Sequence, residues 1–130
     1  MSANTELVRR LYDAIGHGDV PGLLAGLDPT IEWTEADGFP YRGTYSGHDA
    51  ILENVIGRLV GEWDDFRASP TELIDGGDQV VALGRYTGAY KKTGKNMDAA
   101  FAHVWDLRDG KAVRFRQYVD SAIVQEALRP

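Results

Sequence analysis

Apolar residues recur at helical spacing through the first part of the chain. Leu7, Leu11, Ala14 and Ile15 share one face of a helix, and Val8 and Tyr12 widen the stripe. Gly16 and Gly18 end it. Asp19 then caps a short second helix, with Pro21 in its first turn and Val20, Leu23, Leu24 and Leu27 on its apolar side. Asp28-Pro29 stops that helix, and residues 31–35 (Ile-Glu-Trp-Thr-Glu) alternate as a strand does. A loop rich in Gly, Pro and Tyr is predicted over 37–47. The longest amphipathic helix follows, with Ile51, Val55, Leu59 and Trp63 at every fourth position, backed by Leu52, Ile56 and Val60.

After Asp64 the period changes from helical to alternating. Four strands are predicted, separated by turn signals at Gly76-Gly77, Thr93-Gly94 and Asp109-Gly110, and a last helix near 120–128 closes the chain. Helices followed by a meander predict an α+β fold, an antiparallel sheet with helices packed on one face, as a single domain over 1–130.

Pairing these strands on paper brings chemistry together. Phe101, His103, Trp105 and Leu107 lie on one face of their strand; Val113, Phe115, Gln117 and Val119 lie on one face of the next. A three-residue loop at Arg108-Asp109-Gly110 matches apolar face to apolar face. It sets His103 opposite Phe115, with Gln117 as the diagonal neighbour. A two-residue turn at Thr93-Gly94 sets Gly84 opposite His103 and Tyr86 opposite Phe101. Small residues at 84 and 88 then predict room inside a curved sheet around a polar pair.

Composition narrows the chemistry that such a pair can perform. Among the 130 residues there is no Cys, so disulfides, thiolate nucleophiles and Cys-based metal sites are excluded. The 3 His are scattered without metal-ligand spacing, so neither a metal nor another cofactor is expected. A net charge of −6 without a basic run argues against a nucleic-acid partner. No apolar stretch approaches the roughly 18 residues of a membrane span, and the N-terminus lacks signal-peptide character, so a cytoplasmic protein is expected. Proton transfer is the chemistry left.

The order of these features resembles the SnoaL-like branch of the nuclear-transport-factor-2-like and ketosteroid-isomerase-like superfamily. Its most specific stretch runs from Phe101-Ala102-His103-Val104-Trp105 through Gly110-Lys111 to Arg116-Gln117-Tyr118-Val119-Asp120. The resemblance implies a cone: a curved antiparallel sheet packed over N-terminal helices, enclosing an apolar pocket for a small molecule, commonly as a homodimer. Cyclases of this type carry an inward His, which falls on His103, and an inward Asp, which falls on Gln117. The isomerase base falls near Trp33 or Thr34 and is missing. Its phenolic donor falls near Leu11, with Tyr12 one residue out of register. No complete catalytic set of the family transfers to the chain.

The candidates follow from these two lines together. His103 is the foremost acid/base or enolate-stabilising donor, with a hydrogen-bonded core histidine as the other reading. Gln117 has no titratable group and would orient His103 or bind a carbonyl. Glu35 shares strand phase with Ile31 and Trp33 and is the first choice for a carboxylate base; Asp37 is the second. Tyr86, Trp33, Trp63, Phe101, Phe115 and Tyr12 are the candidate ligand-binding walls. Asp120 precedes the last helix and reads as its cap. Two functions stand at this point. One is a cofactor-independent isomerase or cyclase acting on a small apolar carbonyl compound. The other is a non-catalytic small-molecule-binding or dimeric assembly domain of the same fold.

Overall fold

The structure, a computed structural model, describes residues 2–130. Helices α1 (Ala3–His17) and α2 (Val20–Ala25) lead into strand β1 (Leu27–Glu35) and the short β2 (Gly43–Ser46). A second helical segment comprises α3 (His48–Ile51), a π-helical stretch (Leu52–Ile56) and α4 (Gly57–Glu62). Strands β3 (Trp63–Asp75), β4 (Gln79–Tyr90), β5 (Asn96–Arg108) and β6 (Lys111–Val119) precede α5 (Ser121–Leu128). No helix among the described residues is long and apolar enough to cross a membrane.

Local chemistry sets the helix ends. The Ser2 hydroxyl accepts from the Thr5 N–H at the start of α1, and Gly18 closes that helix at φ 65°, a left-handed conformation that glycine enters without a Cβ penalty. The Asp19 carboxylate caps α2 by accepting from the Gly22 N–H at 2.9 Å. Asp120 caps α5 through the Ile123 N–H, as its position predicts.

The sheet order is β2-β1-β6-β5-β4-β3, an open, curled layer. It is mixed rather than wholly antiparallel. β1 runs parallel to β6, with Trp33 beside Phe115; the two strands are adjacent in the sheet but separated in the chain by a long crossover through β2, the helices and β3–β5, not by a hairpin. The loop expected over 37–47 contains β2, which pairs Trp33 with Tyr45. The long helix ends at Glu62, and Trp63 opens β3 instead of completing a helical stripe.

Both predicted hairpin registers move. The β5–β6 turn has two residues, Asp109 (φ 52°) and Gly110 (φ 75°), and pairs Arg108 with Lys111. Both positive φ values belong to the turn that follows the strand twist. A two-residue turn alone would oppose apolar to charged faces. The chain resolves this with a bulge: Leu107 pairs Ala112 while Asp106 pairs Arg114, and Val113 is the extra residue. Beyond the bulge His103 lies directly opposite Gln117, not Phe115.

The β4–β5 connection runs over 91–95, which shifts that register by two residues and preserves the faces. Ala82 therefore opposes His103, Gly84 opposes Phe101 and Tyr86 opposes Ala99. The space at Gly84 is not left empty. A Cβ there would lie 2.4 Å from the Ser69 carbonyl oxygen and 2.6 Å from the Phe101 ring, so glycine admits close packing of β3 and Phe101.

The concave face carries the core. Along β5, Met97, Ala99, Phe101, His103, Trp105 and Leu107 are buried while their neighbours are not. Helices α1 and α4 pack against β3, and α3 packs against β1, closing over this face. Trp105 and Val8 are fully buried at its base. Each such side chain contributes roughly 1.5–3 kcal/mol by leaving water.

Candidate functional site

Between the helices and the concave face lies a cavity of about 490 Å³. Its walls are largely apolar: Leu23 from α2, Val55 and Ile56 from the π-helical stretch, Leu59 from α4, and Trp33 and Phe115 from the sheet. Along 51–60 the amphipathic pattern brings Val55, Ile56, Leu59 and Val60 to the cavity border, while Val55 also belongs to the core.

Five side chains on this lining, Trp105, Tyr12, His103, Tyr86 and Gln117, form one chain of hydrogen bonds. The Trp105 N–H donates to Tyr12 Oη at 3.0 Å. Tyr12 Oη lies 2.5 Å from His103 Nδ1, and Tyr86 Oη lies 2.5 Å from His103 Nε2. Gln117 Nε2 donates to Tyr86 Oη at 2.8 Å, while Gln117 Oε1 accepts from the Ala36 N–H at 2.9 Å. The imidazole is stacked on Phe101 with ring centroids 3.9 Å apart, and Phe115 meets it edge-on. Burial holds the His103 pKa well below the usual imidazole value, so the ring is neutral. Burial also raises both phenols; for Tyr86 the nearby Glu35 charge adds to the effect.

Glu35 is the buried carboxyl group of the cavity. It is 3% exposed, and its one described hydrogen bond comes from the Trp33 N–H at 3.3 Å. Burial pushes its carboxyl up to about 8, against a smaller downward pull from the Trp33 N–H. The pair shares a face because the residues are two apart on β1, the phase that the alternation of 31–35 predicts.

The other candidates fall as follows. Tyr12, Trp33, Trp63, Tyr86 and Phe115 line the cavity. Phe101 does not; it lies behind His103 as a stacking support. Asp37 is exposed and outside the cavity, because the strand ends at Glu35 and the chain turns away. Trp63 donates to Tyr41 Oη, and the Tyr41 hydroxyl donates to the Glu62 carboxylate at 2.9 Å, which ties the 37–47 segment to α4.

Sequence reasoning placed His103 and Gln117 on one sheet but missed that Tyr12 and Tyr86 take both imidazole nitrogens. Tyr12 reaches His103 from 91 residues away, a contact no local pattern signals. The Trp105 N–H and Ala36 N–H were likewise unassigned, although the shared strand phase of Trp105 and His103 was a usable clue. Among the described residues no group of three or more His, Cys, Asp or Glu gathers as metal ligands would.

Comparisons with known proteins agree with this architecture. The SnoaL-like domain family matches residues 8–115. The structure of an NTF2-like protein from Burkholderia thailandensis is 41% identical, covers 100% of both chains and superposes with a TM-score of 0.95. The structure of TerC co-crystallised with polyporic acid is 30% identical over 98% of each chain, with a TM-score of 0.88. A protein of ketosteroid-isomerase-like fold from Catenulispora acidiphila, in complex with trimethylamine, shares 16% identity over 96% of this chain and 94% of that one, with a TM-score of 0.82; this likeness is one of fold. No curated protein shows significant similarity to the chain. With its cone-like α+β sheet, its apolar cavity and a family match over most of its length, the chain belongs to the SnoaL-like family of NTF2-like proteins.

Proposed function

We propose that the chain is a cofactor-independent proton-transfer enzyme for a small, apolar carbonyl compound, working in the manner of an isomerase or cyclase. The observation that carries this reading is Glu35: a carboxyl group, 3% exposed, on the lining of an apolar cavity, with its pKa held at about 8. A carboxylate stripped of water is a far stronger base than an exposed one, and a pKa near the working pH suits it to take a proton and return it.

Glu35 would remove a proton from the carbon next to the carbonyl. The charge that develops on the carbonyl oxygen needs a donor, and Tyr12 and Tyr86 carry hydroxyls on the same cavity. Return of the proton to a different carbon yields an isomer; attack of the enolate carbon on a second carbonyl closes a ring. His103 holds both tyrosines and acts as a positioning residue rather than as the proton carrier, since both of its nitrogens are engaged. Gln117, anchored by the Ala36 N–H, orients Tyr86. Small organic ligands in related structures, polyporic acid in TerC and trimethylamine in the Catenulispora protein, support a small-molecule role for the cavity.

The reading includes a homodimer through the outer face of the sheet. There Tyr118 is 54% exposed, and Arg116 Nε is buried without a hydrogen-bond partner.

The test is deuterium exchange at the carbons flanking the carbonyl of 2-tetralone in D₂O, followed by NMR. The unmodified chain should accelerate exchange, increasingly as pH rises through 8, and Glu35→Gln should lower the rate by about 10²–10⁴-fold. Tight binding of the ketone without exchange in either protein would overturn the enzymatic reading and favour the binding-domain alternative, to which the amide at Gln117 in place of an acid also points.

A further inference from the structure

The hydrogen-bond chain on the cavity lining has a definite number of protons. Its two outer ends have a fixed direction. The Trp105 indole is only a donor, so Tyr12 Oη accepts from it. The Ala36 N–H is also only a donor, so the oxygen of the Gln117 amide faces it and the NH₂ faces Tyr86 Oη, which accepts. Each tyrosine oxygen therefore already accepts one bond from outside, and each still carries its own O–H.

Between the tyrosines stands a neutral imidazole with one N–H and one lone pair. Two links must be made, Tyr12–His103 and His103–Tyr86, and each uses one proton. Three protons are available: two phenolic and one on the ring. One is left over. If Nδ1 carries the ring proton, it donates to Tyr12, Tyr86 donates to Nε2, and the Tyr12 hydroxyl proton has no partner within the chain. If Nε2 carries it, the assignment is mirrored and the Tyr86 hydroxyl proton is the spare one. Tyr12 and Tyr86 both line the cavity.

We infer that this network offers the cavity a single hydroxyl proton, from Tyr12 or from Tyr86 according to the tautomer of His103, and so selects ligands that present an acceptor oxygen. The ring moves no proton to the ligand; by exchanging which nitrogen is protonated it exchanges which tyrosine faces the ligand as donor. No atom of the network is left to accept from a ligand at the tyrosine that donates, because that oxygen already accepts two bonds. A carbonyl or ether oxygen fits, and the developing oxyanion of the proposed reaction fits better, since hydrogen bonds to a charged acceptor are about twice as strong. This deepens the proposed function in that it takes the same cavity as the ligand site, but it does not depend on the role of Glu35.

The experiment is ¹⁵N NMR of His103 in histidine-labelled protein at pH 7, where protonated and bare ring nitrogens resonate far apart. Removing one tyrosine hydroxyl forces the ring proton onto the nitrogen that keeps a partner, because an orphaned buried N–H is the costlier outcome. Tyr86→Phe should therefore show Nδ1 protonated, and Tyr12→Phe should show Nε2 protonated. The same tautomer in both variants would overturn the inference. The unmodified chain supplies a check that needs no variant: its ring should carry one proton in total, and a doubly protonated imidazolium would overturn the count. None of these readouts involves turnover. Opposite tautomers without ketone exchange would leave the network inference standing and remove the enzymatic reading; one shared tautomer with exchange intact would do the reverse.

Discussion

Glu35 and His103 lie on the same cavity and are equally buried, at 3% exposure each, yet they are held in different ways. His103 is gripped on both nitrogens by tyrosine hydroxyls and stacked on Phe101, so its position is over-determined. Glu35 accepts one long bond, from the Trp33 N–H at 3.3 Å. Burial drives both groups toward their neutral forms, which means opposite directions: the imidazole pKa falls and the carboxyl pKa rises. Only the second movement brings a group toward neutral pH. Of two equally buried side chains, the loosely held acid can change charge under working conditions, and the tightly held base serves as a fixed part of a scaffold.

The largest expected difference between Glu35 and His103 is in rate. Beside the large loss for Glu35→Gln, His103→Phe should retain the rise of ketone exchange with pH, at a reduced plateau. A profile erased in His103→Phe and retained in Glu35→Gln would reverse the two roles.

Stability comes next in size. The folded pKa of Glu35, about 8, lies above its ordinary value of 4.5, so the neutral form favours folding. That contribution is fully present below about pH 4.5 and is lost as pH rises through 8. Glu35→Gln has no charge to bury. Its thermal midpoint should overtake that of the unmodified chain across this window, with a difference on the order of a few kcal/mol by pH 8, measured by scanning calorimetry. A constant offset across pH would show that Glu35 is not held neutral. His103→Phe should cost about 1–3 kcal/mol in urea unfolding at pH 7, because Tyr12 and Tyr86 each lose a buried partner.

Smaller still is the effect of Trp33→Phe. The indole N–H pulls the Glu35 pKa down, so its loss should move the pH midpoint of exchange upward by about one unit or less. A downward move would mean that Trp33 does not hold the charged form. At the bottom of the scale, Asp37→Asn, on an exposed position, should change stability by no more than about 0.5 kcal/mol and leave exchange unaltered.

Much of the cone was legible along the chain. Alternation after Asp64, the cap residues Asp19 and Asp120, and the left-handed stop at Gly18 are local signals, and each element they mark is present. The phase of 31–35 correctly put Glu35 on the same face as Trp33. The registers were not legible. A turn of two residues and a bulge at Val113 can replace a turn of three with nearly the same facing pattern, and the difference moves Gln117 from the diagonal to a place opposite His103. Gly84 showed that small residues were needed, but not whether a ligand or Phe101 would use the space.

The class of the fold, the absence of thiol chemistry and the strand faces follow from residue type and spacing over short distances. What those faces do depends on contacts between distant segments. The tyrosines that take both nitrogens of His103 come from α1 and β4, and whether Glu35 is neutral depends on how completely water is excluded around it. Hydrogen-bond partnership and desolvation are properties of the assembled cavity. They arise when distant segments meet, and no local pattern along the chain encodes them.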